Sequence, residues 1–139
     1  MGRLFGVIAA LLVVGACTIA GDETGILAAD AARAHERGEI LLVDVRSGPE
    51  RLSGTPRGAI HKQFGPDTWT GTVSTAEAAA FVDAIRDLSE ARKPVVFLCQ
   101  SGIRSARAAN EMKVQGLAAL TVTDGYLGNV HGPGWKIRE

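Results

Sequence analysis

Pro94-Val-Val-Phe-Leu98 runs straight into Cys99-Gln-Ser-Gly-Ile-Arg104-Ser-Ala-Arg-Ala-Ala-Asn-Glu-Met112. Four apolar residues behind a proline read as a strand covered on both faces. The segment from about Ser105 to Gln115 reads as a helix closed by Gly116. Between the two, Gly102 is free to take left-handed dihedrals. Successive N–H groups then turn into one concavity, and the following helix adds the positive end of its dipole. A hollow of that kind favours an anion, and Cys99 stands at its centre. With Arg104 nearby, the setting is expected to lower the thiol pKa from its free value of about 8.5 toward neutrality or below, so that the nucleophilic thiolate dominates.

The flanks repeat the same grammar. Upstream, Ala28 to Arg37 is a good helix former ended by Gly38, and Ile40-Leu-Leu-Val-Asp-Val45 is a second apolar run, broken by a carboxylate. Gly48-Pro49 and Gly54-Thr-Pro-Arg-Gly58 punctuate a loop-rich middle in which Arg57 to Ile60 is a short strand. Thr75 is expected to cap a helix whose Ala80, Phe81, Ala84, Ile85 and Leu88 recur at helical spacing. A last strand around Leu120 to Thr123 runs into Asp124-Gly125. Strands alternating with helices predict a single α/β domain: a mostly parallel sheet with helices on both faces, right-handed crossovers and ligands at the carboxyl ends of the strands. Asp44 and Cys99 both fall at such ends. Asp44 is expected to order the loop by accepting backbone N–H bonds, and Arg46 to form a surface pair with Glu50, contact with substrate being the alternative.

Bulk properties narrow the function. A chain of 139 residues closes one core. Fifteen basic and fifteen acidic residues cancel, which leaves no electrostatic footprint for nucleic acid. His35, His61 and His131 are scattered and no second thiol lies near Cys99, so no metal site is expected. No phosphate loop or dinucleotide fingerprint is present, so no cofactor is expected either.

The amino terminus reads differently. Met1-Gly2-Arg3 is a short basic start, and Leu4 to Ala16 is an apolar run. That run is short for a membrane span, which needs about 20 residues, and suits the apolar region of a signal peptide. Val14-Gly-Ala-Cys17 resembles the lipobox of bacterial lipoproteins, which implies cleavage before Cys17 and diacylation of its sulfur. The expected organisation is residues 1–16 as signal peptide, 17–24 as linker and 25–139 as the domain. The mature protein is expected in the periplasm or cell envelope, resting on a membrane through its lipid without spanning it. Plain secretory cleavage near Ala20 and a retained anchor are the alternatives. With Cys17 acylated, Cys99 is the sole thiol and has no resolving partner in the chain, which suits a sulfur carrier better than an internal redox switch.

Taken in order, Leu42-Val-Asp-Val-Arg46, Glu50, Gly54-Thr-Pro-Arg-Gly-Ala-Ile60, the loop Cys99 to Arg104 and the Gly-rich segment from Gly125 to Trp135 resemble the single-domain rhodaneses, a family of sulfurtransferases. The resemblance covers about 25–135. It implies that Cys99 is the catalytic nucleophile, taking sulfane sulfur from thiosulfate or a persulfide. An acceptor such as cyanide, a small thiol or a protein thiol then removes that sulfur. Gln100, Ser101, Gly102, Ile103, Arg104 and Ser105 would bind the substrate through their amides, with Asp44 and Arg46 ordering the loop. Related phosphatases and arsenate reductases have a loop one residue longer than the six from Cys99 through Arg104, so they are the lesser alternative. Two positions depart from the family pattern. Gln100 stands where efficient thiosulfate users often carry Arg or Lys, which implies weak use of thiosulfate. Thr55 replaces an expected His. Gln100 keeps open a further alternative, a sulfur-carrying or binding module without turnover.

Overall fold

The structure, a computed structural model, describes residues 24–66, 71–89 and 93–138. The leader 1–16 and Cys17 lie outside the described residues. The elements run β1 (Gly25–Ile26), α1 (Ala28–Glu36), β2 (Leu41–Asp44), α2 (Gly48–Arg51), β3 (Ile60–His61), α3 (Thr75–Leu88), β4 (Val95–Leu98), α4 (Ile103–Val114) and β5 (Ala119–Val122), followed by a 3-10 turn at Lys136–Arg138. The five strands form one sheet in the order β1-β5-β4-β2-β3, parallel at every pairing.

The central strand is apolar because both of its faces are covered. Val95 and Phe97 join Val43, Phe81, Ile85, Ala108 and Met112 in a cluster beneath α3 and α4. Val96 and Leu98 join Leu42, Ala28, Ala31, Tyr126 and Trp135 in a second cluster beneath α1. The two-residue alternation along β4 assigns neighbours to opposite faces. Each such side chain contributes about 1.5–3 kcal/mol on burial. Helices therefore flank the sheet on both sides, as the alternation of elements predicts.

Several boundaries differ from expectation. Helix α3 is capped by Ser74 rather than Thr75: the Ser74 side chain accepts from the Glu77 amide while the Glu77 carboxylate accepts from Ser74 N. Ser-x-x-Glu spacing satisfies two orphan donors at once, and Thr75 has no Glu or Gln at that spacing. Ser47 and Glu50 repeat the device at α2, a turn of helix in what the sequence presented as a loop. The short third strand is Ile60–His61 and not Arg57 to Ile60, because it pairs with Val43 and Asp44 at the very end of β2. Helix α4 begins two residues early, at Ile103, directly after Gly102. Ala106 N donates to Gly102 O, closing the first turn from that glycine.

Candidate active site

Strand β4 ends at Leu98, so the parallel ladder delivers Cys99 to the carboxyl edge of the sheet, next to the end of β2 where Asp44 pairs with Leu98. Gly102 turns the chain with φ +96°. A β-carbon there would lie 2.6 Å from Thr123 O, so both the dihedral and the space demand glycine. The segment after β5 holds the loop from behind. Tyr126 N donates to Cys99 O at 2.8 Å and Leu127 N to Gln100 O at 3.1 Å. Asn129 Nδ2 bridges Ser101 O and Thr123 O.

The Cys99 side chain is fully buried. One flank belongs to the apolar cluster under α4. Its sulfur nevertheless accepts two hydrogen bonds, from Gly102 N at 3.1 Å and from the Ser105 hydroxyl at 3.3 Å. Among the described residues, the amides of Gln100, Ser101, Ile103, Arg104 and Ser105 have no hydrogen-bond partner. Unspent N–H groups around a turn and a helix start are the donors an anion requires. Of the loop side chains, Ile103 is exposed to solvent and Arg104 and Ser105 are buried.

Two arginines wall this edge of the sheet. Arg46 has no exposed surface. Its Nε and Nη2 clamp both oxygens of Asp44, Nη2 also reaches Gly54 O at 2.7 Å, and Nη1 reaches Glu50 O and Gln100 Oε1. Its guanidinium carbon lies 3.8 Å from the centre of the Tyr126 ring. The expected surface pair of Arg46 with the Glu50 carboxylate is therefore corrected: Arg46 is buried, its carboxylate partner is Asp44, and only the main-chain carbonyl of Glu50 touches it. Asp44, at the end of β2 and two residues before Arg46, is within reach of its Nε and Nη2, whereas the Glu50 carboxylate turns to Ser47 and Arg104. Asp44 does accept the Arg46 amide at 3.0 Å, as expected of a loop-ordering residue. Thr55, at the position of the missing His, donates its hydroxyl to Asp44 at 3.0 Å.

Glu50 instead holds Arg104 across 54 positions, with Nη1 to Oε2 at 2.8 Å and Nη2 to Oε1. Partial burial pushes the Glu50 pKa up, but the Arg104 and Ser47 hydrogen bonds outweigh it and hold the carboxyl below its ordinary value. Burial likewise lowers the Arg104 pKa. The Glu50 hydrogen bond and charge, with smaller help from Cys99 and Asp44, more than reverse it. The loop is thus tied to α2 by a charged fork, and Arg104 spends its charge largely on Glu50.

Sequence reasoning brought Cys99 through Ser105, Asp44 and Arg46 to one end of the sheet, and the structure assembles them there. It missed Tyr126, Asn129 and Thr121, which come from β5 and its following segment and carry no spacing signal relative to the cysteine. The Ser47-x-x-Glu50 box was a readable signal for the position of Glu50.

The family description "rhodanese-like domain" matches residues 27–128. No curated protein matches the chain significantly in sequence. Among solved structures, Rv0390 from M. tuberculosis is similar at 27% identity and TM-score 0.57, over 83% of this chain and 92% of that one. The human single-domain sulfurtransferase TSTD1 is similar at 25% identity and TM-score 0.51, over 76% of this chain and 93% of that one. The reduced Bacillus anthracis CoADR-RHD is similar at 24% identity and TM-score 0.53, over 74% of this chain, which spans only 16% of that longer protein. A six-residue cysteine loop on a five-stranded parallel sheet and a match over most of the length agree: the chain belongs to the rhodanese-like domain family.

Proposed function

We propose that the protein is a sulfurtransferase that carries sulfane sulfur on Cys99. The observation that supports this best is the Cys99 sulfur, held by Gly102 N and the Ser105 hydroxyl inside a loop whose other amides are unspent. The Cys99 thiolate attacks the outer sulfur of a donor. With thiosulfate, the donor S–S bond breaks, sulfite leaves with the electron pair, and a Cys99 persulfide anion remains. The free amides then supply preorganised donors to the terminal sulfur anion. Attack by cyanide or a thiolate on that outer sulfur restores the Cys99 thiolate and releases thiocyanate or a persulfide.

Two observations favour a monoanionic persulfide over thiosulfate as donor. Gln100 offers no charge, and its carbonyl oxygen faces Arg46. Arg104 is engaged by Glu50. A dianion therefore meets little net positive charge. The same features, with the complete burial of Cys99, favour a second reading: a sulfur carrier that receives and hands on one sulfur without rapid turnover. Phosphate-ester hydrolysis is disfavoured by the six-residue loop.

We place the domain outside the cytoplasm, anchored to a membrane by lipid on Cys17, on the strength of the apolar leader and the Val-Gly-Ala-Cys junction. Intact mass of the protein from its native membrane tests this.

The functional test compares thiocyanate formation from cyanide with thiosulfate and with a low-molecular-weight persulfide, for the parent and for Cys99→Ser. The expected result is turnover with the persulfide exceeding that with thiosulfate, and none in Cys99→Ser. Turnover retained by Cys99→Ser contradicts the mechanism. Persulfide formation without thiocyanate selects the carrier reading.

A further inference from the structure

Beside the cysteine, two buried hydroxyls are linked to each other and to its sulfur. Ser105 Oγ lies 3.3 Å from Cys99 Sγ and 2.7 Å from Thr121 Oγ1. Ser105 is fully buried and Thr121 is 6% exposed, so water does not freely replace either partner. Ser105 comes from the first turn of α4 and Thr121 from β5, paired in the sheet with Phe97 of β4. No local spacing brings them together; the parallel ladder does.

Each hydroxyl has one proton, which makes the direction of this chain a matter of choice. The Ser105 proton has three acceptors in reach: Cys99 Sγ, Gly102 O at 3.1 Å, and Thr121 Oγ1. The Thr121 proton has one among the described residues, Ser105 Oγ. If Ser105 gave its proton to Thr121, it would turn a lone pair toward an ionised sulfur, which is repulsive. With Thr121 donating into Ser105, the Ser105 proton is free for the sulfur. A negative charge on Cys99 aligns both bonds in that sense, and each strengthens the other.

We infer that Ser105 and Thr121 form a hydroxyl relay that stabilises ionised Cys99, with Ser105 donating directly to the sulfur and Thr121 acting as the positioning residue that fixes the direction of the Ser105 proton. The inference rests on Cys99 being the nucleophile proposed above. It adds a side-chain donor to the main-chain donors of the loop and assigns a role to a β5 residue outside the loop motif. It also accounts for a polar pair kept beside an apolar cluster, since a buried hydroxyl without a partner is costly.

The test is the pH dependence of iodoacetamide alkylation at Cys99, located by peptide mass, in the full chain. The parent is compared with Ser105→Ala, Thr121→Val and Thr121→Ser. Loss of a hydrogen bond to a charged group corresponds to about one to two pH units, so Ser105→Ala is expected to move the half-maximal rate upward by that much. Thr121→Val, which keeps the branched shape, is expected to move it the same way by less, and Thr121→Ser to return it to the parent position. Merely structural roles would lower the thermal midpoint without moving the profile. Profiles of Ser105→Ala and Thr121→Val that overlay the parent overturn the inference. A shift with Ser105→Ala alone overturns the part assigned to Thr121. If Ser105→Ala does not fold, the Thr121 pair decides by itself. Alkylation needs no sulfur donor, so unmoved profiles beside normal persulfide formation reject the relay and leave sulfur transfer standing. Moved profiles without persulfide formation do the reverse.

Discussion

Arg46 and Arg104 lie at the same edge of the sheet, each forked onto a carboxylate, and they do different things. Arg46 is sealed. Its partner Asp44 is two residues away, both side chains have no exposure, and the remaining donors end on carbonyls and on Gln100 beside the Tyr126 ring. Arg104 reaches across the chain to Glu50, with the carboxylate side chain 23% exposed. The first pair is a fixed plug that sets where the ends of β2 and the cysteine loop stand. The second is a brace between α4 and a four-residue helix. A buried pair contributes little net stability as a pair, yet losing one member leaves a charge stranded. A partly exposed pair has water as a substitute.

The sharpest way to break the comparison is Arg46→Ala. It strands the Asp44 carboxylate without solvent and is expected to cost about 3–5 kcal/mol, a large share of a domain's total stability. Urea unfolding measures this. A loss no greater than that of the brace would mean the two arginines are equivalent.

Glu50→Gln comes next. It keeps the shape, removes the charge opposite Arg104, and is expected to cost about 1 kcal/mol after allowance for exposure. Persulfide formation should fall more than stability does, because Arg104 no longer holds the loop on α2.

The same residue gives a pH signature. The folded-state pKa of Glu50 lies below its ordinary value of 4.5, so the native state binds fewer protons than the unfolded state across that interval. The Glu50 contribution is therefore complete above about 4.5 and is lost as pH falls through the lower, folded value. Thermal midpoints of the parent and Glu50→Gln should converge on acidification through this range. A constant difference between them would contradict the pairing.

The smallest effect belongs to Thr55→Val. It removes one hydrogen bond to Asp44 while Arg46 still serves both carboxylate oxygens, so a loss under about 1 kcal/mol is expected. Isothermal denaturation decides it.

The two arginines also show how far the sequence could be read. The loop around Cys99 was legible because its determinants are local: an apolar run, a glycine that only φ > 0 explains, and a helix behind it. The sheet was legible for the same reason, since β2 and β4 are continuous apolar runs. β1 has two residues and exists by pairing with Thr121 and Val122, so no window of sequence marks it. Arg46 went to the wrong carboxylate because Asp44 turns out to face it from the end of β2, whereas Glu50 turns back to cap its own helix. Tyr126, 80 positions beyond Arg46, reaches it only through the fold.

The central claim is that the Cys99 loop accepts and holds one anionic sulfur. Its most direct test is intact and peptide mass spectrometry of the protein after incubation with a persulfide or thiosulfate, with and without later cyanide. The account predicts the mass of one added sulfur atom on Cys99, removed by cyanide and absent from Cys99→Ser. A Cys99 that alkylates readily but never gains that sulfur, or an adduct that persists in Cys99→Ser, would contradict it.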